Sequence, residues 1–425
     1  MIQTMASYSD LVRDDAVHGS VYRDPQVFSD EMNRIYSMGW VYVGHASEVP
    51  AVGDFKRKSV GTQRVIFCRD RNDAIQVLFN RCRHRAARVC QLDRGNTKEF
   101  RCDYHGWVYA LDGALTHVPY EDAYTDLNKS EFSLTKPPCL DSYRGFVFVS
   151  LNRDIPPLKE HLGELTMQQI DLFCDLSPEG EILVQSGASL LAYNGNWKLQ
   201  MENSIDGYHP NFTHQSFLVS LARQTGVRMD TFDGDAATQC RALGRGHTHL
   251  DYRPVNLAAD HQAKRIALLR STTWGEKYYA DMVESHGRTK AEEVIAVAGT
   301  HMNVFPNLVV LGQQVRTIRP LSPERTEVEL AFAALAGVPD ELNTQRLRQY
   351  EQFYSPQGGG IHDDIEMFNR VAEGLRCTME PWLIFRRGLD RERHMEDGSV
   401  VGQITDEVPQ RAMWQHWKEV MAPNG

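Results

Sequence analysis

Two short cysteine–histidine pairs, Cys82-Arg-His84 and Cys102-Asp-Tyr-His105, constrain this chain more than any other feature. Each pair stands on a tight loop beside a β-like run, so the two loops can close on one metal site. A structural zinc site needs the same ligand types, but its usual spacings pair cysteine with cysteine and histidine with histidine. A [2Fe–2S] cluster with two cysteines on one iron and two histidines on the other fits the mixed pairs better. The sequence predicts this cluster, with zinc as the alternative.

The segment around these loops favours a small β domain. Short β-like runs such as RVIFCRD, IQVLFNRC and GFVFVSL are separated by turn signals, including Asn72-Asp73 and Asp112-Gly113. We therefore expect an all-β domain over residues 40–153, followed by a linker at Asp154–Leu158. Residues 1–39 are expected to be mainly helical and to pack on the second domain.

The remaining residues, 154–425, mix helical and β-like patterns, which predicts an α+β class for the second domain. Strands are expected at 307–319 and 325–335, and helices near 158–175, 197–209, 338–354 and 363–376. The most apolar stretch, roughly 294–315, is interrupted by Gly299, His301 and Pro306. It predicts buried strand and turn rather than a membrane span.

Composition and charge narrow the class of function. A hydrophobic content of 42% and a charged content of 24% are ordinary for a globular protein. The net charge of -10 argues against a general nucleic-acid-binding protein, which usually carries a basic face. The N-terminus has no basic and apolar leader pattern, so we expect a cytoplasmic protein whose eight cysteines stay reduced.

A second group of candidate ligands, Asp206, His209 and His214, lies in the stretch ENSIDGYHPNFTH. Asp206 and His209 are three residues apart and would share a helical face. At about 100° per residue, His209 and His214 lie some 140° apart on a regular helix. They converge only if the helix breaks, and Pro210 predicts that break because the residue before a proline avoids the α region. Two histidines and one carboxylate are the ligands of non-haem Fe(II) oxygenases, so a further carboxylate is expected elsewhere.

The candidate carboxylate lies in GGGIHDDIEMFNRVAEGL, residues 358–375. The glycines permit a close approach, and Ile365, Phe368 and Leu375 form a helical stripe. Asp363 and Asp364 therefore stand at a helix start, where carboxylates are also common as caps. Spacing alone favours the cap and does not choose between the two aspartates.

Both motifs resemble the large subunit of Rieske-type non-haem iron oxygenases that hydroxylate aromatic rings. The first is C-x-H and C-x2-H-G-W closed by Leu-Asp-Gly, and the second is ENxxDGYHxxxxH with a later Asp-Asp pair; together they span about 40 to 376. The resemblance implies a Rieske domain, a helix-grip catalytic domain with a curved antiparallel sheet, and a mononuclear Fe(II). It implies His209, His214 and Asp364 as iron ligands, Asp206 as the carboxylate linking the two metal centres, and Asn203 as a polar residue near the iron.

The same resemblance implies a multicomponent enzyme. O2 is the co-substrate, and NADH supplies electrons through a ferredoxin or flavin reductase, because the chain has no G-x-G-x-x-G fingerprint of its own. The family works as an α3 trimer, or as α3β3 with a small β subunit, and passes electrons between neighbouring subunits, so His84 or His105 would approach the next subunit's Asp206. The expected reaction is cis-dihydroxylation. Alternatives are a monooxygenase or O-demethylase, an electron-transfer protein, or a zinc-binding module without redox chemistry.

Two arginines are candidates for binding a substrate carboxylate. Arg316 stands among alternating apolar residues, and Arg387 follows Trp-Leu-Ile-Phe-Arg. An arginine facing a catalytic cavity can hold a carboxylate by two hydrogen bonds, whereas a surface arginine is the favoured interpretation for Arg387. The position of Arg316, and the spacing from Glu202 to Asp206, resemble the benzoate, anthranilate and terephthalate branch. The resemblance thus implies an aromatic carboxylic acid bound by Arg316.

Overall fold

The computed structural model of this protein describes residues 8–185, 187–226 and 237–422. The chain forms two compact units. The β-rich unit takes Tyr36–Leu158, and the mixed unit takes the described residues before and after it. The sequence-based domain limits of 40 and 153 differ from this division by a few residues.

The helices of the described residues follow the predicted periodicity at several places. The segments predicted near 158–175, 338–354 and 363–376 are helical, whereas most helices between residues 215 and 297 were not predicted. The helices are α1 (Pro25–Arg34), α2 (Leu158–Cys174), α3 (Trp197–Asn203), α4 (Pro210–Thr213), α5 (Gln215–Thr225), α6 (Arg253–Asn256), α7 (Ala259–Arg270), α8 (Gly275–His286), α9 (Arg288–Val297), α10 (Asp340–Tyr354), α11 (Ile361–Gly374) and α12 (Val408–Val420).

The strands fall into separate sheets in the two units. They are β1 (Ala16–His18), β2 (Val41–His45), β3 (Asp54–Val60), β4 (Gln63–Arg69), β5 (Ile75–Phe79), β6 (Arg94–Asn96), β7 (Phe100–Arg101), β8 (Val108–Tyr109), β9 (Leu115–His117), β10 (Cys139–Tyr143), β11 (Phe146–Ser150), β12 (Ile182–Leu183), β13 (Ala188–Tyr193), β14 (Gln239–Gly244), β15 (His247–Asp251), β16 (His301–Val304), β17 (Leu308–Leu311), β18 (Gln314–Ser322), β19 (Arg325–Phe332), β20 (Ala334–Leu335), β21 (Trp382–Ile384), β22 (Arg393–His394) and β23 (Val400–Gln403).

The β-rich unit confirms the predicted all-β class. Its described strands pair in the orders β5-β4-β3-β6, β10-β11-β2 and β7-β8-β9. Both turn signals lie where the sequence places them: Asp73 turns β4 into β5 with φ 64°, and Gly113 turns β8 into β9 with φ 88°. One cysteine–histidine pair follows β5, and the other lies between β7 and β8. The sheets thus bring both loops to one buried cluster of side chains that includes Cys82, Cys102 and Trp107.

The mixed unit is built on one long antiparallel sheet. Over the described residues its order is β13-β19-β18-β17-β16-β15-β14-β23-β22. Helices α3, α11 and α12 pack against strands of this sheet. The run predicted as one strand over 307–319 is a hairpin, because Gly312 adopts φ 61° and turns β17 into β18. The apolar run from 294 begins as the last turn of α9, so only its later part is strand.

One face of the long sheet packs against helix α3. Strand pairing aligns His301 with Leu311 and Gln314, and Asn303 with Val309 and Arg316. Directly opposed residues point to the same face of a sheet. The side chains of His301 and Asn303 bond the carbonyl oxygens of Ser204 and Met201, which end α3. Arg316 and Gln314 therefore lie on the face that meets α3.

The N-terminal segment differs from the mainly helical prediction. Its described part holds two 3₁₀ turns (Tyr8–Leu11 and Gly19–Tyr22), strand β1 and a single helix, α1. Strand β1 pairs with β21 in a two-stranded antiparallel sheet. Helix α1 begins at Pro25, where Asp24 caps it and proline suits the first helical position. Residues 1–7 of the prediction lie outside the described residues.

A buried ion pair ties this segment to the rest of the mixed unit. Glu31 of α1 and Lys198 of α3 are both 0% exposed, and their charged atoms lie 2.5 Å apart. The indole N–H groups of Trp197 and Trp417 donate to the same carboxylate at 2.9 and 2.8 Å. The pair thus joins α1, α3 and α12. Along the described ranges, no helix is both long and apolar enough to cross a membrane.

Candidate functional site

The two cysteine–histidine loops of the β-rich unit have the same backbone design. Cys82 N–H donates to the Ala87 carbonyl at 2.8 Å, and Cys102 N–H donates to the Trp107 carbonyl at 2.8 Å. Each cysteine carbonyl accepts an N–H from the residue four positions on, Ala86 or Gly106, and both of these have positive φ. Each loop is therefore a closed turn with a cysteine at its base. The cysteines are 2% and 1% exposed.

The histidines of these loops lie side by side. The ring centroids of His84 and His105 are 4.4 Å apart, and Trp107 stacks on His84 at 5.1 Å with a 5° interplanar angle. Burial and the neighbouring His105 lower the pKa of His84, so its ring is neutral and able to bind a metal. Its Nδ1 is buried without a hydrogen-bond partner among the described residues. A bound metal ion would satisfy that atom.

In the mixed unit the helix break differs from the one predicted. Helix α3 already ends at Asn203, and Ser204 to Tyr208 are not helical, so Asp206 and His209 do not share a helical face. Pro210 begins a new helix, α4, instead of ending one, because its fixed φ suits the first helical position. His209 precedes that short helix, and His214 separates it from α5. The convergence of the two histidines was predicted, but for the wrong local reason.

The donor atoms of His209, His214 and Asp364 all lie within 4.8 Å of one another. The Nε2 atoms of the two histidines are 3.5 and 3.2 Å from Asp364 Oδ1. Two ligands about 2.1 Å from one ion stand about 3.0–3.4 Å apart. The triad therefore has the spacing of a mononuclear metal site. Asp364 is 4% exposed in the first turn of α11, and Asp363 stands outside the triad.

Polar neighbours orient this triad. Asn203 donates an amide hydrogen to Asp364 Oδ1 at 3.1 Å and lies 3.3 Å from His209 Nε2. Asp206 Oδ1 accepts the backbone N–H groups of Tyr208 and His209 at 2.6 and 3.3 Å, and its Oδ2 lies 3.5 Å from His209 Nδ1. Asp363 Oδ2 lies 3.4 Å from His214 Nδ1. Each imidazole thus faces one carboxylate with Nδ1 and the triad with Nε2, an arrangement typical of metal-binding histidines.

The electrostatics of the triad favour the charged carboxylate. Burial raises the pKa of Asp364, but the hydrogen bond and charge of His214 and the charges of His209 and Arg316 outweigh it and lower that pKa. Burial likewise opposes charge on His214, whereas Asp364 and Asp363 raise its pKa. Asp364 is therefore an anion near neutral pH, the form that binds a cation.

An aromatic wall stands beside His214. The ring of Phe353 meets the rings of His214 and Phe217 edge to face, with centroids 4.9 and 4.8 Å apart. A Cβ at Gly360 would lie 2.1 Å from the Phe353 ring, and one at Gly359 would lie 2.8 Å from Phe217. The glycine run before α11 is thus required for the close approach that the sequence predicted.

The two candidate arginines have different surroundings. Arg316 is 2% exposed; its Nε donates to Gln314 Oε1 at 3.0 Å, and its guanidinium carbon lies 5.0 Å from the Tyr354 ring centroid. Within the described part of the chain, no carboxylate oxygen lies within 4.0 Å of its guanidinium nitrogens. Arg387 is exposed, stacks over Tyr208 and donates to the Thr405 carbonyl. Arg316 is thus a buried cation without a counter-ion, and Arg387 is a surface residue.

Residues 39–142 match the family described as the Rieske [2Fe-2S] domain, and residues 176–423 match the ring hydroxylating alpha subunit (catalytic domain). The second match covers more than half of the chain. The chain belongs to the Rieske ring-hydroxylating alpha-subunit family. It is accordingly an oxidoreductase, the large subunit of an aromatic-ring-hydroxylating dioxygenase, as the sequence predicted. The zinc-binding and electron-transfer alternatives do not hold.

Relatives of this Rieske oxygenase chain include subunits with named substrates. It is 31% identical to the 2-halobenzoate 1,2-dioxygenase large subunit of Burkholderia cepacia, over 89% of this chain and 83% of that one. It is 32% identical to the anthranilate 1,2-dioxygenase large subunit of Acinetobacter baylyi, over 87% and 79%. Naphthalene 1,2-dioxygenase from Rhodococcus sp., solved with indole, has a TM-score of 0.81 and 26% identity over 96% of this chain and 94% of that one. The predicted two-part fold class is confirmed.

The residues present fit both cofactors of the Rieske oxygenase family, a [2Fe–2S] cluster and a mononuclear iron. The triad of two imidazoles and one anionic carboxylate is the donor set that non-haem Fe(II) uses. Among the described residues, the donor atoms of the triad lie close enough together to bind one metal ion. The four side chains of the two cysteine–histidine loops do not form such a single group. Four ligands shared between two iron atoms need not gather around one point, whereas ligands of a single zinc ion do.

Some residues of the site were missed from the sequence. Gln314 is 0% exposed beside Arg316, and the i, i+2 spacing on one strand could have indicated a shared face. His301 was noted only as an interruption of an apolar run, yet it bonds the carbonyl that ends α3. Tyr109 carries no motif signal, but its hydroxyl lies 3.2 Å from Cys82 Sγ.

Proposed function

We propose that Cys82, His84, Cys102 and His105 hold the Rieske cluster. Two observations support this: both cysteines are buried at the base of matching turns, and the His84 Nδ1 is buried without a partner. When bound, the cluster supplies single electrons at a potential raised by its neutral imidazole ligands. The chain's own contribution is to fix the two histidine rings against each other and against Trp107.

We propose further that His209, His214 and Asp364 hold the mononuclear iron. The distances of 3.2 and 3.5 Å from Asp364 Oδ1 to the two Nε2 atoms support this assignment. An iron ion held by these three residues would supply the chemistry that activates O2. Asn203 holds the carboxylate, and Asp206 fixes the imidazole of His209 by accepting from the backbone beside it. Asp206 is also our candidate for the carboxylate that meets the cluster of a neighbouring subunit.

The proposed substrate is an aromatic carboxylic acid, hydroxylated on the ring and most simply as a cis-dihydrodiol. The observation that carries this proposal is Arg316, a buried arginine on the sheet face that meets α3, without a counter-ion among the described residues. Burying an unpaired charge is costly unless a ligand supplies the opposite charge. The names of the 2-halobenzoate and anthranilate relatives agree with such a ligand.

The proposed assembly is an α3 trimer or an α3β3 hexamer with a small β subunit, working in the cytoplasm. A ferredoxin or flavin reductase delivers the electrons of NADH. The relatives are themselves named large or alpha subunits, which supports a multicomponent enzyme. Co-expression with a candidate small subunit, followed by mass determination of the native complex, distinguishes the two stoichiometries.

The test of the proposed activity is a turnover assay with labelled O2. The purified enzyme, a surrogate ferredoxin and a reductase receive benzoate, 2-aminobenzoate, naphthalene or biphenyl, and products are analysed by mass. We expect an acid to be the best substrate and both labelled oxygen atoms to enter one product. One labelled atom per product would indicate a monooxygenase instead. Turnover of the hydrocarbons without the acids would refute the proposed substrate class.

A further inference from the structure

Gln314 lies beside Arg316 on strand β18 and shares its face of the sheet. Its Oε1 accepts a hydrogen bond from Arg316 Nε at 3.0 Å. Because Nε–H of arginine can only donate, the amide atom that faces it must be the oxygen. The NH2 group of Gln314 therefore points away from Arg316 Nε, and the bond fixes the direction of the guanidinium.

The NH2 group of Gln314 has no acceptor of its own. Its Nε2 is buried and makes no hydrogen bond among the described residues, and the side chain is 0% exposed. A buried donor without an acceptor carries a free-energy cost. Arg316 is buried as well, and among the described residues no carboxylate oxygen lies within 4.0 Å of its guanidinium nitrogens. Among the described residues, the Gln314 NH2 group thus lies in the interior without an acceptor, and the Arg316 guanidinium beside it lies there without a carboxylate.

We propose that Gln314 and Arg316 together form the substrate's carboxylate site, with Arg316 donating from its terminal nitrogens to one oxygen and Gln314 donating from Nε2 to the other. This rests on the proposed function, and it adds a second, neutral donor that selects the ligand. A carboxylate has two acceptor oxygens and satisfies both residues. A carboxamide of the same shape turns an NH2 group toward one of the donors, so the pair discriminates against neutral isosteres.

The position of the pair suits this role. Tyr354 closes one side of the guanidinium with its ring at 5.0 Å. The pair lies on the sheet face that packs on α3, and Asn203 at the end of α3 donates to Asp364 of the triad at 3.1 Å. A carboxylate bound there would fix one end of an aromatic substrate. Gln314 is in this sense a specificity-determining residue and a positioning residue for Arg316.

The test uses the holoenzyme, benzoate and benzamide. Gln314→Met keeps the side-chain length but removes both the donor and the acceptor, and Gln314→Glu keeps the acceptor for Arg316 but removes the donor. Gln313→Leu is the matched control, because the neighbouring Gln313 is bonded to Gln349 at the surface. Benzoate affinity is measured by calorimetry, and KM and kcat are measured for both compounds. The visible spectrum of the cluster, the iron content and the melting temperature check that each variant is folded and loaded.

We expect Gln314→Met to weaken benzoate binding about ten- to a hundredfold, with a smaller change in kcat, because one hydrogen bond to a charged group is lost. Gln314→Glu should weaken benzoate at least as much and bind benzamide better than benzoate, since it now accepts from the amide. Gln313→Leu should match the wild type. Wild-type benzoate affinity in both Gln314 variants would overturn the inference.

The same experiment separates this inference from the proposed function. If wild-type enzyme binds benzoate and Arg316→Ala loses it while both Gln314 variants keep it, Gln314 has no role and the acid substrate stands. If the wild type binds benzamide and toluene as well as benzoate, the aromatic-acid proposal fails, and the inference fails with it.

Discussion

Asp206 contacts His209 through both of its carboxylate oxygens. Oδ1 accepts the His209 backbone N–H at 3.3 Å, while Oδ2 lies 3.5 Å from the ring Nδ1. The same Oδ1 accepts the Tyr208 N–H at 2.6 Å, so the carboxylate caps the turn that precedes α4. One side chain therefore sets both the backbone and the ring of a proposed iron ligand.

Asp206→Asn should leave both metal centres bound and abolish turnover. The remaining amide oxygen can still accept the two backbone N–H groups, so the turn is kept. The new NH2 group faces the ring Nδ1, which carries a proton when Nε2 binds metal, and two donors cannot bond each other. Iron analysis and the cluster spectrum establish loading, and steady-state assays measure turnover. Normal turnover in this variant would remove Asp206 from the electron path.

Asp364→Ala and Asp363→Ala form a matched pair at the start of α11. Asp364 is buried in the triad, and Asp363 is partly exposed and faces only the outer nitrogen of His214. Asp364→Ala should therefore lose the mononuclear iron and keep the two cluster irons. Asp363→Ala should keep all of its iron and show reduced activity. Iron content per chain, measured by elemental analysis beside the cluster absorbance, checks both; iron loss in Asp363→Ala alone would reverse the assignment.

Cys82→Ser should remove the Rieske cluster and leave the mononuclear iron in place. Cys90→Ser is the control, because Cys90 is also buried in the same unit but its sulfur donates to the Leu92 carbonyl. The red-brown absorbance and the cluster's electron paramagnetic resonance signal are expected to vanish only in Cys82→Ser. Loss of the signal in both variants would point to a fold defect instead of a lost ligand.

Glu202→Gln should flatten the dependence of stability on pH. Burial raises the pKa of Glu202 to about 7, although Tyr22 and Trp414 donate to its Oε1 at 2.6 and 2.9 Å. Because the folded pKa is raised, the stabilisation is complete below about pH 4.5 and is lost as pH rises through 7. Glutamine keeps the acceptor and cannot ionise, so the variant should gain on the order of 1–3 kcal/mol relative to wild type at pH 8. Urea unfolding of both proteins at pH 5 and pH 8 measures the free energy of unfolding. The same change in this free energy between the two pH values in wild type and variant would contradict the prediction.

Gly360→Ala should impair the site more than Gly374→Ala, although both glycines lie at α11. A methyl group at Gly360 would meet the ring of Phe353, which packs on His214, whereas one at Gly374 would meet open space. We expect Gly360→Ala to cost about 1–3 kcal/mol of stability and to lower kcat. Gly374→Ala should be neutral or slightly stabilising because alanine favours the helix. Melting curves and kcat of the two variants provide the comparison.

The sequence predicted those parts of the site that depend on local spacing. The loops of Cys82 and Cys102 are each closed by hydrogen bonds within six residues. The local sequence pattern is therefore enough to predict the shape of each loop. Asp364 is different, because its partner Asn203 lies 161 positions away and only tertiary packing brings them together. Spacing could not choose it over Asp363; the family resemblance did.

Local rules failed where two structures were compatible with one pattern. Pro210 can end a helix or begin one, and it begins α4 because Asp206 already caps the preceding turn. The N-terminal residues were expected to be helical, but Ala16–His18 form a strand that pairs with β21. Gln314 gave no signal of its own, since a glutamine that follows Gly312 and Gln313 resembles any exposed strand end until its neighbour Arg316 is known to be buried.

The ion pair of Glu31 and Lys198 has a practical consequence for anyone shortening this chain. The residues before the β-rich unit look dispensable beside two recognisable domains. One of these residues, Glu31, nevertheless carries the negative charge that pairs with Lys198 on the helix that ends at Asn203. A chain trimmed to start at Tyr36 would lose Glu31, the carboxylate paired with Lys198, and Tyr22, whose ring lies beside that ammonium group. Such a protein should accumulate as aggregate. Adding iron or cluster-assembly factors would not recover it, because the missing contacts are those of helix α3 and not those of the metal ligands.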